Sequence, residues 1–263
     1  MTDIVAPLRS AIRARGKGRS LLVFLDYDGT LVEIAPHPEL ARPTAALLEV
    51  LGRLAAQVDR KVMVVSGRPL RDLQDLLPVP GLNFLGSHGG EAFIAGQPYA
   101  LPVAAIDHKE LSRWRAWLAV VLRPFQGWWI EDKPLGFTLH YRQLPHTDAR
   151  QFMRVLEGWH EQFRAKSHFQ VLAGKKVLEI LPRGINKGSA IKEILSMPGF
   201  RRSFPIYLGD DITDESAFLI LQDQGLTIKV GSPATETAAS HFLPDPEAVR
   251  HFLTLLAFPL EDL

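Results

Sequence analysis

The chain lacks cysteine entirely, and its 263 residues carry a formal net charge of only +1. Without cysteine there are no disulfides, thiol nucleophiles or thiolate metal sites, which suits a reducing compartment, so we expect a cytoplasmic protein. The balanced charge offers no electrostatic footprint for nucleic acid or an anionic membrane. No apolar run approaches the roughly 18 residues that span a bilayer. We therefore expect neither nucleic acid nor a membrane as a partner.

Three short apolar runs each end in a cluster of polar residues. The runs are Leu21–Leu25, Lys61–Val65 and Phe204–Leu208. The segment Pro43–Ala56, with leucines at helical spacing, separates the first two. Alternating strands and helices predict an α/β fold with a doubly wound parallel sheet. Because ligands bind beyond the carboxyl ends of such strands, we expect the polar clusters to share one crevice.

The middle of the chain has a different pattern and contains all five tryptophans. Its periodicity predicts, in order, a helix, two strands, a second helix and a hairpin: Asp107–Leu122, Trp128–Asp132, Phe137–Arg142, Thr147–Phe163 with Thr147 as N-cap, Phe169–Leu172 and Lys176–Leu181. This order interrupts the parallel pattern, which indicates an inserted α+β domain. We place that domain at 105–182 and the core domain at 1–104 and 183–263. The tryptophans either pack inside the small domain or stack on a ligand.

Two carboxylates stand two residues apart directly after the first apolar run. Asp26 and Asp28 belong to the stretch Asp26-Tyr27-Asp28-Gly29-Thr30. Neighbouring anions repel each other unless a cation compensates or one is protonated. A metal site, a nucleophile and a proton donor are all consistent with the pair. Other polar groups end the later runs or precede a predicted helix: Ser66-Gly67-Arg68, Gly209-Asp210-Asp211 followed by Asp214, and Lys187.

Taken in order, these elements resemble the catalytic signature of the haloacid dehalogenase-like (HAD) phosphohydrolases. The resemblance implies a Rossmann-like HAD core with an inserted cap domain. It implies that Asp26 is the nucleophile that forms an aspartyl-phosphate, and that Asp28 acts first as general acid and then as base. Ser66 would donate a hydrogen bond to the phosphoryl group. Lys187 would offset charge on Asp26 and on the phosphate.

The same resemblance implies Mg²⁺ as the cofactor. Its ligands would be Asp26, Asp210 and the main-chain carbonyl of Asp28, because Mg²⁺ prefers oxygen. Asp211 and Asp214 are further candidates, either as direct ligands or through water, since an octahedral ion cannot take every carboxylate of that loop. The alternative for Asp214 is N-terminal capping of the following helix.

Within the superfamily, several local patterns resemble the trehalose-6-phosphate phosphatase family. They are Asp26-Tyr27-Asp28-Gly29-Thr30-Leu31, Val65-Ser66-Gly67-Arg68, Ser87-His88-Gly89-Gly90-Glu91, Glu131-Asp132-Lys133, His140-Tyr141-Arg142, Leu178-Glu179-Ile180-Leu181-Pro182 and Gly209–Glu215. The resemblance spans roughly residues 20–235, and the insertion takes the position of a C2-type cap. It implies hydrolysis of trehalose 6-phosphate to trehalose and phosphate in trehalose biosynthesis.

The resemblance also implies which residues bind the sugar phosphate. Glu131, Lys133 and Glu179 would hold the distal glucose, because carboxylates and an ammonium suit sugar hydroxyls. A surface ion pair between Glu131 and Lys133 is the alternative. The other predicted substrate-binding residues are Gly67, Arg68, His88 and Arg142. For the last three of these, a purely structural role is the alternative, which for Arg68 is pairing with an acid at a helix start.

Other functions are consistent with parts of this pattern. The nearest is another C2-capped HAD sugar phosphatase, acting on sucrose phosphate or a glucosyl- or mannosyl-polyol phosphate. A sugar-phosphate sensor would require loss of a catalytic group, yet Asp26, Asp28, Lys187 and Asp210 are all present. A phosphotransferase would need an acceptor other than water. Core and cap together account for the 263 residues, so we expect no fused synthase domain and a functional link to a separate trehalose-6-phosphate synthase. We also expect a monomer.

Overall fold

The structure is a computed structural model, and it describes residues 6–15, 19–102, 106–174, 176–233 and 236–258. Residues 103–105, where the sequence predicts the first domain junction, and Lys175, in the predicted hairpin turn, lie outside the described residues. The chain divides into two compact units. We call Met1–Leu101 with Asn186–Leu263 the major unit, and Pro102–Ile185 the inserted unit.

Helices and strands alternate through most of the described chain. In chain order they are α1 (Ala6–Arg15), β1 (Leu21–Leu25), α2 (Ala45–Ala55), β2 (Arg60–Val65), α3 (Leu70–Leu76), β3 (Asn83–Gly86), β4 (Glu91–Ile94), β5 (Gln97–Tyr99), α4 (His108–Leu122), β6 (Trp129–Lys133), β7 (Gly136–His140), α5 (Ala149–Lys166), β8 (Phe169–Gly174), β9 (Val177–Pro182), α6 (Lys187–Ser196), β10 (Phe204–Gly209), α7 (Glu215–Leu221), β11 (Leu226–Val230), β12 (His241–Leu243) and α8 (Pro246–Leu256). Over the same described ranges, no helix is both long enough and apolar enough to cross a bilayer.

The major unit is built on a sheet with the strand order β12-β11-β10-β1-β2-β3-β4-β5. The strands from β12 to β3 pair in parallel, and β4 and β5 continue the sheet antiparallel. Strand β1 lies between β10 and β2, so the chain order reverses at β1 and creates the switch point where such sheets bind ligands. The three predicted strands are these three adjacent ones, and the predicted doubly wound parallel sheet is confirmed.

Helices cover both faces of this sheet because β1 is apolar on both. Leu21, Val23 and Leu25 belong to the layer that α2, α3 and α8 cover. Leu22 and Phe24 belong to the opposite layer, under α6 and α7. All five side chains are fully buried. A strand buried on both sides needs a continuous apolar run rather than an alternating one, which is what the sequence shows.

The inserted unit has its own antiparallel sheet, in the order β6-β7-β9-β8, and its own core. Helices α4 and α5 pack on one face of it, with Trp159 and Phe163 fully buried. The predicted N-cap of α5 is wrong. The helix begins at Ala149 after Asp148, and the Thr147 hydroxyl bonds the Asp148 carboxylate at 3.2 Å. Main-chain bonds of the preceding turn, such as Asp148 N to Pro145 O, place Thr147 before the helix.

A buried carboxylate ties α4 to the start of β8 within the inserted unit. Glu110 accepts hydrogen bonds from the main-chain N and ring Nδ1 of His168, at 2.9 and 2.8 Å, and from Trp114 Nε1 at 3.1 Å. Burial would raise the pKa of Glu110, but these bonds stabilise its anion and lower that pKa to about 2.

We expect Glu110→Gln to destabilise the inserted unit by about 1.5–3 kcal/mol at neutral pH, because a charged acceptor is lost. The folded carboxyl titrates near 2 and an unfolded one near 4.5. Its contribution is therefore complete above the unfolded pKa and is lost as the pH falls through the folded one, so the difference between variant and wild type should shrink on acidification. Urea unfolding followed by tryptophan fluorescence measures this unit alone, since all five tryptophans lie in it. A difference independent of pH would contradict the assignment.

Candidate active site

Three carboxylates and one ammonium meet at the carboxyl ends of β1 and β10. Lys187 Nζ donates to Asp26 Oδ1 and to Asp214 Oδ1, each at 2.6 Å. Asp26, Asp210 and Asp214 each offer an oxygen within 4.8 Å of the others. The side chains of Asp26, Lys187 and Asp214 are 6%, 3% and 0% exposed. We call these four residues the carboxylate cluster; it lies largely out of contact with water.

Each group of the cluster stands where a regular element begins or ends. Asp26 directly follows β1, and Asp210 directly follows β10. Lys187 is the first residue of α6, whose N-terminus is capped by Asn186 through its bond from the Ser189 main-chain N, at 2.8 Å. Gly29 lets the chain turn beside Asp210, since its φ is +88° and an added Cβ would lie 2.2 Å from Asp210 Oδ2. A residue with a side chain would both strain this turn and clash there.

The buried charges of the cluster shift one another's pKa. Burial raises the pKa of Asp26 well above its ordinary value; the Lys187 ammonium opposes this shift, and Asp214 and Asp210 reinforce it. Burial alone would lower the pKa of Lys187, but the Asp214 and Asp26 carboxylates raise it above its ordinary value. Lys187 brings one positive charge to three carboxylates. A divalent cation among them would relieve their mutual repulsion.

Asp214 is held by three donors. Besides Lys187, the Tyr207 hydroxyl donates to its Oδ1 at 2.6 Å, and the Asp211 main-chain N donates to its Oδ2 at 2.9 Å. Burial and the nearby Asp214 carboxylate raise the pKa of the Tyr207 phenol well above its ordinary value. Helix α7 begins at Glu215, and the Asp214 side chain makes no capping bond to it. Asp214 therefore does not cap α7. Its bond from Asp211 N is instead half of a capping box at the 3-10 turn Ile212–Asp214, which directly precedes α7, and its other oxygen is engaged in the cluster.

The five predicted metal ligands divide into two sets. Asp26, Asp210 and Asp214 form a group with the spacing of metal ligands. Its donors are all carboxylate oxygens, which fits a hard cation such as Mg²⁺. The side chains of Asp28 and Asp211 lie outside this group. For Asp28 the predicted ligand was the main-chain carbonyl rather than the side chain.

The side chain of Asp28 is paired with Arg68. Arg68 Nε donates to Asp28 Oδ2 and Arg68 Nη2 to Asp28 Oδ1, both at 2.7 Å. The guanidinium also donates to Pro38 O at 2.8 Å and lies 5.0 Å from the centre of the Tyr27 ring. Such a two-point contact fixes both partners. Arg68 thus pairs with an acid, as the structural alternative had it, but the acid is Asp28 rather than one at a helix start.

Two loops that carry predicted substrate-binding residues pack against each other. Ser66, which follows β2, accepts a bond from His88 N through its carbonyl at 2.9 Å and one from Arg68 N through its hydroxyl at 3.1 Å. The His88 ring lies against Gly67, where an added Cβ would be 2.5 Å from His88 Nε2. Ser66 and His88 are 2% and 6% exposed. Gly67 is therefore needed for close approach of the two loops.

In the inserted unit, the predicted sugar-binding side chains share one face of the sheet. The strand register pairs Glu131 with Thr138, and Thr138 with Glu179. Lys133 Nζ lies 3.4 Å from Glu179 Oε1, and these two side chains are 12% and 13% exposed. The Thr138 hydroxyl is buried and has no hydrogen-bond partner among the described residues. Arg142 is exposed in the loop that follows β7.

Two residues that contact the predicted site were missed from the sequence. Tyr207 is the one side chain with a polar atom in the third apolar run, and that signal was visible. His140 Nε2 lies 2.8 Å from Glu131 Oε2. Although His140 belongs to a pattern that carried the family resemblance, only the pairing of β6 with β7 puts it beside Glu131.

Comparison with known proteins decides the family. A family model described as trehalose-phosphatase matches residues 24–247. The chain belongs to the trehalose-phosphatase family. A trehalose-6-phosphate phosphatase from Escherichia coli is 33% identical over 220 residues, which are 82% of this chain and 79% of that protein. A bifunctional trehalose-6-phosphate synthase/phosphatase from Thermoproteus tenax is 34% identical over 227 residues, 83% of this chain and 30% of that protein.

Solved structures agree on the fold. The C-terminal domain of Candida albicans trehalose-6-phosphate phosphatase superposes with a TM-score of 0.85 at 24% identity, covering 95% of this chain and 96% of that one. A haloacid dehalogenase-like hydrolase from Bacteroides thetaiotaomicron superposes with a TM-score of 0.62 at 18% identity, covering 89% and 98%. The predicted HAD fold with an inserted α+β unit is confirmed.

We expect Tyr207→Phe to lower the free energy of unfolding by about 1.5–3 kcal/mol, because the buried Asp214 carboxylate loses a donor while the ring is kept. Tyr27→Phe is the matched control, since the buried Tyr27 hydroxyl donates to a neutral acceptor, Ala41 O, at 2.9 Å. Its loss should be about 0.5–1.5 kcal/mol. Urea unfolding followed by far-ultraviolet circular dichroism measures both. Equal losses would mean that the Tyr207 bond is no stronger than an ordinary one.

Proposed function

We propose that this protein is a Mg²⁺-dependent phosphatase that hydrolyses trehalose 6-phosphate to trehalose and phosphate. The observation that carries the proposal is the contact of Lys187 with both Asp26 and Asp214, beside Asp210, at the switch point of the sheet. The relative from Escherichia coli is named for this reaction, which supports the choice of substrate. The proposal covers both the chemistry of the major unit and sugar binding by the inserted unit.

In the first step Asp26 is the nucleophile. One of its carboxylate oxygens bonds to phosphorus while the bond from phosphorus to the sugar O6 breaks. Asp28 gives a proton to the sugar O6 as it leaves. Lys187 stabilises the negative charge that this reaction spreads over the phosphoryl oxygens. Mg²⁺ held by Asp26, Asp210 and the main-chain carbonyl of Asp28, with Asp214 beside them, would neutralise part of the same charge.

In the second step water hydrolyses the aspartyl-phosphate. Asp28 takes a proton from the water, whose oxygen bonds to phosphorus while the bond from phosphorus to Asp26 breaks. Phosphate leaves, and both carboxyl groups return to their starting states. Because Arg68 donates to both oxygens of Asp28, which pairs it as an anion, the Asp28 side chain must turn away from Arg68 and take a proton from solvent before the first step. The guanidinium is then available to the phosphate, which is the predicted role of Arg68.

The inserted unit supplies the sugar contacts in this proposal, with Glu131, Lys133 and Glu179 binding hydroxyls of the distal glucose. Charged side chains that share one face of a sheet suit a ligand that offers many hydroxyls and no further charge. The other substrate contacts, by Ser66, Gly67, His88 and Arg142, stay predictions. So do the domain limits at 105 and 182, the monomeric state and the cytoplasmic location. A separate trehalose-6-phosphate synthase would supply the substrate; the two activities are joined in the name of the relative from Thermoproteus tenax.

We expect the wild type to release phosphate from trehalose 6-phosphate faster than from other sugar phosphates, and only when Mg²⁺ is present. Asp26→Asn should lower kcat by about 10⁴-fold or more, because an amide cannot replace the attacking carboxylate. Asp75→Asn, an exposed aspartate paired with Arg71 at 4.0 Å, is the control and should keep full activity. Phosphate release from a panel that includes sucrose phosphate and polyol-linked phosphates measures this. A clear preference for another member of the panel would overturn the substrate.

We expect Glu131→Ala and Lys133→Ala to lower kcat/KM for trehalose 6-phosphate by about 10-fold or more, the effect of losing about 1.4 kcal/mol of binding. Both should leave hydrolysis of 4-nitrophenyl phosphate nearly unchanged, because that substrate has no glucose to bind. Asp132→Ala is the control: this neighbouring carboxylate is 68% exposed and bonds Arg115 at 2.6 Å. Equal losses on the two substrates would contradict sugar binding by this face.

A further inference from the structure

One tryptophan of the inserted unit is unlike the other four. Trp159 is buried in the core of that unit, and three others, Trp114, Trp117 and Trp128, are partly buried and pack against this core. Trp129 is 41% exposed and lies flat on the His140 ring, with ring centres 3.8 Å apart and planes 5° from parallel. The two residues are directly opposite each other in the pairing of β6 with β7. Core packing therefore does not explain Trp129.

The His140 ring is held on two sides. Trp129 covers its face, and its Nε2 bonds Glu131 Oε2 at 2.8 Å along its edge. The His140 side chain is 15% exposed, whereas the Glu131 side chain is 32% exposed. Rotation of the imidazole would break both the stack and the hydrogen bond. Of the two hydrogen-bonded side chains, Glu131 is thus the more exposed one.

The contact with His140 affects the charge state of Glu131 as well as its position. The hydrogen bond from His140 is the largest cause that lowers the pKa of Glu131, and the Lys133 ammonium acts in the same direction while burial opposes them. Glu131 therefore remains an anion, which accepts sugar hydroxyl hydrogens better than a neutral acid does.

We propose that His140 is a positioning residue for Glu131, with Trp129 holding the imidazole in turn, and that this set determines specificity for the sugar. The proposal rests on the function proposed above. A free glutamate side chain loses rotamer entropy when a ligand orders it. A side chain that is already ordered avoids that loss, so substrate binds more tightly. His140 itself need not touch the sugar.

A positioning role predicts a particular split in the kinetic constants. His140→Ala should raise KM for trehalose 6-phosphate about 10-fold. The variant should leave kcat for this substrate, and both constants for 4-nitrophenyl phosphate, near the wild-type values. His140→Gln, whose Nε2 can still donate to Glu131, should recover most of the loss. A fall in kcat on both substrates would overturn the proposal, because it would mean that His140 supports the fold or the chemistry instead.

A double-mutant cycle tests whether His140 acts through Glu131. In the Glu131→Ala background, His140→Ala should change KM for trehalose 6-phosphate no further, since there is no carboxylate left to position. Losses that simply multiply would overturn the proposal. His168→Ala is the matched control, because His168 also bonds a glutamate of the inserted unit, Glu110, at 2.8 Å. It should leave both constants unchanged, and tryptophan fluorescence during unfolding checks that each variant is folded.

The outcome separates this proposal from the proposed function. If the wild type prefers another sugar phosphate, the proposed substrate fails, and the cycle is run with the preferred compound. The same non-multiplying losses are then expected, and the positioning role is supported or overturned by them. If the wild type hydrolyses no sugar phosphate better than 4-nitrophenyl phosphate, both proposals are overturned.

Discussion

The rest of the site depends on the buried contact of Lys187 with Asp26 and Asp214. Moving such charges out of water costs several kcal/mol per ion, and only close opposite charges offset that cost. At 2.6 Å on each side, Lys187 meets the condition for two carboxylates at once. Lys187 lies 161 positions after Asp26 and 27 positions before Asp214 in the chain. The contact therefore forms only when β1, α6 and the loop after β10 are all folded.

This constraint accounts for several uncharged neighbours of the cluster. Gly29 makes room for Asp210, and Asn186 fixes the start of the helix that carries Lys187. Tyr207 supplies a donor to a carboxylate that cannot reach water. The charge balance still leaves three carboxylates around one ammonium, which is the physical basis for expecting a cation there. In the inserted unit the charged side chains on the face that carries Glu131, Lys133 and Glu179 keep some contact with water, and an aromatic stack holds His140.

Prediction from the sequence worked where a local pattern has one physical meaning. A continuous apolar run such as Leu21–Leu25 is consistent with little except a strand buried on both faces, and the structure has that strand. Prediction failed at Thr147, where the residue type suits a cap but the preceding turn ends one residue later. It also left open whether Asp211 or Asp214 joins the cluster. Their spacing fits both, and only the position of Lys187 and Tyr207 decides.

The sequence by itself determined the fold class, the order of the catalytic motifs and the family, because these depend on residue types and their spacing along the chain. Only the tertiary structure decided which side chains pair: Asp28 with Arg68, Lys187 with two aspartates, and Glu131 with His140. Such pairs join residues that are distant in sequence or lie on neighbouring strands. The distances within these pairs, and the burial of their side chains, arise only when the strands and helices pack together. The pKa of Asp26 therefore depends on the tertiary structure.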